Sequence, residues 1–153
     1  MADIAVGQPA PDFTLKYENN KDVHLADLRG NAVVLLFYPL DFSPVCTNEM
    51  CDVTERFPSF ENTGAKVYGI SRDSVWTHKA FIRDQNLKLS LLADMKGTVA
   101  QQYGAWNDAF GLAERLTVVI DKNGVITFTD RSPGIPTARD QQKMVDALNK
   151  TAA

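Results

Sequence analysis

Cysteine is scarce in this sequence: Cys46 and Cys51 are the two thiols among 153 residues. Two cysteines do not make a disulfide scaffold, and a chain this long buries roughly 68–70% of its unfolded surface without one. In a reducing compartment a close cysteine pair serves metal binding or catalysis instead. Histidine is equally scarce, and His24 and His78 lie too far apart in the chain to suggest a zinc ligand set. Strong charge of either sign is missing too. The formal net charge of -3 offers no basic footprint for nucleic acid. No apolar run reaches the ~18 residues of a membrane span; the longest, residues 32–38, has the length of a buried strand. The first residues (Met1, Ala2, Asp3, Ile4) are acidic and lack the basic segment and apolar stretch of a secretory signal. Repeats, low-complexity tracts and linkers are not found. The expectation is a single domain over residues 1–153, cytoplasmic, with neither nucleic acid nor membrane as a partner.

What is present is an alternation of strand and helix signals. Residues 12–17 and 22–25 alternate apolar with polar side chains around turn chemistry at 18–21, the pattern of an N-terminal hairpin. Residues 27–30 read as a short helical turn ended by Gly30. Residues 32–38 are apolar on both faces, as a central strand covered by helices must be. Pro39 stops that strand, and a helical stretch runs from Pro44 to Phe60, broken near Pro58. Residues 65–71 predict a strand; Asp73 or Ser74 caps a helix whose Val75, Ala80, Phe81 and Ile82 form a stripe. Residues 89–92 predict a short strand, and 98–103 a short helix closed by Gly104. The runs 116–120 and 125–128 flank the turn Asp121, Lys122, Asn123, Gly124, the clearest hairpin in the chain. Residues 141–150 predict an amphipathic closing helix. This order predicts an α/β fold of the thioredoxin-like kind: a mixed central sheet flanked by helices, with an N-terminal β-hairpin.

The chemistry concentrates between Pro39 and Cys51. This segment leaves the carboxyl end of a buried strand and enters a helix, where open α/β sheets place their sites. Cys46 falls in the first helical turn, where unpaired N–H groups and the positive end of the helix dipole favour a thiolate. A thiol of ordinary pKa, ~8.5, is about 3% ionised at pH 7, and one near 6 about 90%. That difference is roughly 3.4 kcal/mol. A helix end supplies about 0.3–1 kcal/mol, and up to ~2 when partly buried. A further donor or cation is therefore needed: Ser43 offers a hydroxyl, and a distant arginine a charge. Cys51 lies five residues beyond Cys46. An intact helix separates such Cα atoms by ~8.7 Å, whereas a disulfide needs about 4.4–6.8 Å. Oxidation of the pair to a disulfide therefore requires the first helical turns to unwind.

Pro39, Ser43 and Cys46 match the peroxiredoxin pattern of Pro, three residues, Thr or Ser, two residues, Cys. Residues 10–15, 71–74, 78–81 and 91–94, with Tyr103 and Gly104, resemble that family as well, so the likeness covers nearly the whole chain. The body is most similar to the one-cysteine alkyl hydroperoxide reductase E type. The Cys46-to-Cys51 spacing instead resembles the bacterioferritin-comigratory, or Q-type, branch, in which the second cysteine resolves the first. The resemblance implies a thiol peroxidase acting on hydrogen peroxide, organic hydroperoxides or peroxynitrite without metal, haem or flavin. It implies that Cys46 attacks the peroxide O–O bond and becomes a sulfenic acid, that Cys51 condenses with it, and that a thioredoxin-like dithiol reduces the disulfide. By the same resemblance Pro39 shapes the loop and shields the sulfenate from water, and Ser43 takes the place of the family threonine. Arg115 corresponds to the arginine that polarises the peroxide, and Glu49 to a carboxylate that orients it.

Other readings stay open at this level. With Cys51 a bystander, an external thiol or a mycoredoxin-like partner resolves Cys46. A thioredoxin-type thiol–disulfide oxidoreductase calls for a Cys-x-x-Cys motif, which the sequence lacks. A redox-sensing binding module, whose helix unwinds to release or recruit a partner, is the reading from a different class. Glu49 also suits a solvated helix face, and His78 a packing or surface position. Phe42, Trp76, Trp106 and Phe110 read as core or interface aromatics. The family places aromatics near the active-site loop at a dimer contact, which leaves monomer and homodimer both open.

Overall fold

The computed structural model describes residues 4–152, so Met1, Ala2 and Asp3 of the acidic start, and Ala153, lie outside the described residues. The expected N-terminal hairpin forms from β1 (Thr14–Tyr17) and β2 (Asp22–His24), with Thr14 opposite His24. A 3-10 turn then spans Leu25–Leu28, two residues earlier than Gly30 suggested. After it come β3 (Val33–Phe37), α1 (Pro44–Glu55), α2 (Phe57–Glu61), β4 (Lys66–Ser71), α3 (Val75–Gln85), β5 (Ser90–Ala93) and α4 (Thr98–Gln102). A two-stranded ladder of β6 (Trp106–Asn107) and β7 (Leu112–Ala113) was not foreseen, because two residues per strand carry no readable alternation. The hairpin β8 (Leu116–Ile120) and β9 (Ile126–Arg131) and the helix α5 (Gln141–Ala152) complete the chain. β9 runs past the apolar stretch to Arg131, as an edge strand can with one side facing water.

Seven strands make one mixed sheet in the order β2-β1-β5-β4-β3-β8-β9. β3 pairs in parallel with β4 and antiparallel with β8, and all five of its residues are buried. Its alternate side chains feed two cores. Val33, Leu35 and Phe37 join Phe13, Tyr103 and Val118 on one face. Val34 and Leu36 join Met50 and Val53 of α1, Phe81 of α3, and Met144 and Leu148 of α5 on the other. The helical break falls where proline chemistry puts it: α1 stops at Glu55, and Pro58 sits in the first turn of α2, where its missing N–H costs nothing. Ser74 caps α3, accepting from the Thr77 N–H.

Register carries the functional consequence. Phe37 faces Leu116 across the β3–β8 ladder, so Arg115 arrives level with the end of β3, where the chain turns into α1. On the other flank Phe37 faces Ile70, which brings Ser71 and the residues after it to the same end. Among the described residues, no helix is long and apolar enough to cross a membrane.

Candidate active site

Loop residues 39–43 lead from β3 to Ser43, which takes the N-cap position of α1 with extended backbone, and Pro44 occupies the first turn. Pro39 is buried under the sheet end. Phe42 adopts φ 68, a left-handed conformation that costs a bulky residue about 1–3 kcal/mol. Cys46, in that first turn, has no exposed surface. Its Sγ accepts a hydrogen bond from Arg115 Nη1 at 3.1 Å. The hydroxyl that sequence reasoning offered as a second donor does not reach it: Ser43 Oγ is buried without a hydrogen-bond partner. The cation anticipated from the thiolate energetics is present, and the serine contact is not.

Arg115 is itself held on three sides. Nη1 also donates to Glu49 Oε1 at 2.6 Å, and Nε donates to the Ile135 carbonyl at 2.6 Å. Glu49 is therefore no solvated helix residue; it is buried between two guanidinium groups. The second belongs to Arg139, whose Nε and backbone N–H both donate to Glu49 Oε2, at 2.9 and 2.8 Å. Arg139 Nη1 reaches the Leu116 carbonyl and Thr117 Oγ1 at 3.2 Å, and Nη2 reaches the Phe37 carbonyl, tying the ends of β3 and β8 together. Sequence reasoning missed Arg139. Nothing in its local pattern separates it from a solvated loop charge, yet it is only 7% exposed. Burial pulls its guanidinium below the ordinary arginine range, and the Glu49 carboxylate opposes that pull.

Two buried cations and one carboxylate leave one positive charge unbalanced in a dry site. Removing a partner from such a buried cluster typically costs ~3–5 kcal/mol. The Arg115 contact brings that excess positive charge to within 3.1 Å of Cys46 Sγ. The arrangement is a buried sulfur beneath a fixed cation, with an unsatisfied hydroxyl close by in the chain.

The AhpC/TSA family profile matches residues 6–129. The chain belongs to that family. It is 44% identical over 126 residues to the chloroplastic peroxiredoxin Q of Arabidopsis thaliana, covering 82% of this chain and 58% of that one. It is 42% identical over 130 residues to the Coxiella burnetii peroxiredoxin bcp, covering 81% and 86%. The crystal structure of peroxidoxin BcpB from Mycobacterium tuberculosis superposes with a TM-score of 0.85 at 29% identity, over 95% and 96% of the two chains. The chain thus spans a little over half the length of the Arabidopsis relative and most of the two bacterial ones. The fold is the thioredoxin-like fold of peroxiredoxins, and the activity class is thiol peroxidase.

Within this peroxiredoxin the second cysteine has different surroundings. Cys51 is partly exposed inside α1, and its Sγ donates to Gln85 Oε1 of α3 at 3.7 Å. Burial, with Glu55 adding to it, pushes its thiol above the ordinary value. Both cysteines are free, and α1 is continuous between them. One further buried polar group lies beside the site. Asp41, Asp73 and His78 place one ligand-type atom each within 4.8 Å. Those atoms are already engaged: His78 Nδ1 meets Asp41 Oδ2, its Nε2 meets the Leu92 carbonyl, and Asp73 Oδ2 accepts from the Asp41 N–H and Ser71 Oγ. The cluster is a hydrogen-bonded network, and His78 a buried member of it rather than a surface residue.

Proposed function

We propose that this peroxiredoxin reduces hydroperoxides with Cys46 and resolves the product with Cys51. The observation that carries the reading is the buried Cys46 sulfur 3.1 Å from Arg115, with Arg115 itself fixed by Glu49. The Cys46 thiolate attacks one peroxide oxygen, the O–O bond breaks, and the departing alkoxide or hydroxide takes up a proton to leave as alcohol or water. Cys46 becomes a sulfenic acid. Arg115 sits where negative charge develops on the departing oxygen, and its ion pair spares it any reorganisation at that moment. Ser43 Oγ, lacking a protein partner, is free to bond a peroxide oxygen. Pro39 keeps water from the sulfur. Next, α1 unwinds at its start, the Cys51 thiol condenses with the sulfenic acid, and water leaves. A thioredoxin-like dithiol then reduces the disulfide and is itself oxidised to one.

Residues 1–153 act as a single domain in this reading, and a reducing compartment, the cytoplasm, suits two free thiols. Phe42, Trp76 and Phe110 remain exposed and offer apolar surface for a homodimer contact.

The test is stopped-flow tryptophan fluorescence of reduced protein mixed with hydrogen peroxide, following Trp76 and Trp106. The expected trace has a fast phase lost in Cys46→Ser and a later phase lost in Cys51→Ser. If thioredoxin-driven turnover of Cys51→Ser matches wild type, an external thiol or mycoredoxin-like partner resolves Cys46, and Cys51 has no part. A fast phase that survives Cys46→Ser removes the reading altogether.

A further inference from the structure

Residues 39–43 must hold an unfavourable backbone at Phe42, whose φ of 68 suits glycine better than phenylalanine. Two sets of contacts hold it. On one side the Phe42 ring packs against Phe81 of α3, centroids 5.0 Å apart. On the other, Asp41 turns into the protein and spends its polar atoms there. Oδ2 meets His78 Nδ1 at 2.6 Å, Oδ1 accepts from the Tyr38 hydroxyl at 2.5 Å, and the backbone N–H donates to Asp73 Oδ2 at 2.8 Å. His78 is fully buried, and its Nε2 faces the Leu92 carbonyl of β5 at 2.9 Å. A ring nitrogen facing a carbonyl carries the hydrogen, so Nδ1 and Asp41 share one further proton between them. The bond between them forms whichever atom holds that proton. These groups make no hydrogen bond to Cys46, Arg115 or Glu49; they grip the loop that ends at the α1 N-cap.

The turns that have to unwind before Cys46 and Cys51 can meet begin at that N-cap. Resting on the peroxidase reading above, we infer that Asp41, His78 and Tyr38 are positioning residues. They form a clamp that keeps loop 39–43 and the start of α1 in the peroxide-reactive state, and its strength sets how readily the oxidised protein opens to Cys51. The two steps respond differently to such a clamp. While the closed state dominates, a weaker clamp scarcely lowers the closed population, yet it raises the open population in proportion. Peroxide capture therefore persists, and disulfide formation accelerates.

The experiment is the same stopped-flow assay on Tyr38→Phe, which deletes a single oxygen, on His78→Leu, and on His78→Asn, whose amide can take the place of Nδ1. Tyr38→Phe and His78→Leu are expected to speed the disulfide phase about tenfold, the effect of losing one buried hydrogen bond. The peroxide phase should stay within about threefold of wild type. His78→Asn should restore most of the wild-type ratio of the two phases. Mass spectrometry after excess peroxide should find less Cys46 sulfinic acid in the two weakened variants, since the sulfenic acid is consumed sooner. A disulfide phase that is unchanged or slower in Tyr38→Phe overturns the clamp. So does a slowed peroxide phase in all three variants, which would mark a direct part in the chemistry. If His78→Leu fails to fold by circular dichroism, Tyr38→Phe alone decides. Failure of the underlying cycle shows itself separately, as a wild-type trace without a second phase, and takes the clamp with it.

Discussion

Cys46 and Cys51 share one helix, five residues apart, and meet opposite surroundings. Cys46 is sealed from water beneath the Arg115 guanidinium, in a cluster whose protein charges sum to plus one without it. Cys51 is partly exposed and faces the amide oxygen of Gln85, and its pKa is pushed upward by burial first and by the Glu55 carboxylate second. The first sulfur faces a guanidinium, and the second has a carboxylate for its charged neighbour. A peroxide demands an ionised sulfur held in a fixed geometry. A resolving thiol meets a sulfur that is already activated, so mobility and intrinsic nucleophilicity count for more than charge. Neighbours drawn from just before β8 and from the loop before α5 for one thiol, and from α1 and α3 for the other, make this difference.

Substitutions at the first site should have the largest effects. Arg115→Met is expected to slow the peroxide phase about 10²–10³-fold, the usual cost of losing one preorganised donor to a developing oxyanion. Arg115→Lys should recover only part of that loss. A lysine point charge cannot serve Cys46, Glu49 and the Ile135 carbonyl together, as the planar guanidinium does. A peroxide phase within threefold of wild type in Arg115→Met would erase the proposed contrast between the two thiols.

Next in size is the charge balance beneath Cys46. Glu49→Gln leaves two buried guanidinium groups facing each other, and the expected loss is ~3–5 kcal/mol of stability, read from urea unfolding. Glu55→Gln, on the exposed side of the same helix near Cys51, should change stability by less than ~0.5 kcal/mol. Similar losses in the two variants would mean that Glu49 holds no buried network.

The same contrast separates what the sequence could disclose from what it could not. Cys46 stood out because Pro39, Ser43 and a helix start lie within eight residues of it, so the local chain carried the signal. The five buried residues of β3 and the break at Pro58 were legible for the same reason. Arg139 was not, because it reaches Glu49 from 90 residues away and its loop reads as ordinary polar turn. The Asp41–His78 pair spans 37 residues and was equally hidden. Hydrophobic period and turn chemistry are local properties, whereas the partner of a buried charge is fixed by strand register. Arg115 could be placed by resemblance, but its bond to Cys46 depends on Phe37 pairing with Leu116. Ser43 shows the reverse case: the motif supplied the residue, and its hydroxyl makes no hydrogen bond to the protein.

The smallest expected effect tests the second thiol by pH. Burial and Glu55 hold the Cys51 thiol above its ordinary pKa, so at neutral pH it is chiefly protonated, and its reactive fraction grows as pH rises. Folding linkage has the same sign. A raised pKa in the intact helix gives stability that is fully present below the unfolded-state value and is lost as pH climbs through the folded one. Alkali therefore both ionises Cys51 and loosens the helix that holds it away from Cys46. The disulfide phase should accelerate from about pH 8 upward. Glu55→Gln removes the lesser of the two causes and should move the disulfide profile modestly toward lower pH. Stopped-flow traces of wild type and Glu55→Gln across this interval settle the point. A flat disulfide phase, or a shift toward higher pH in the variant, would mean that ionisation of Cys51 does not limit the step and that helix opening alone controls it.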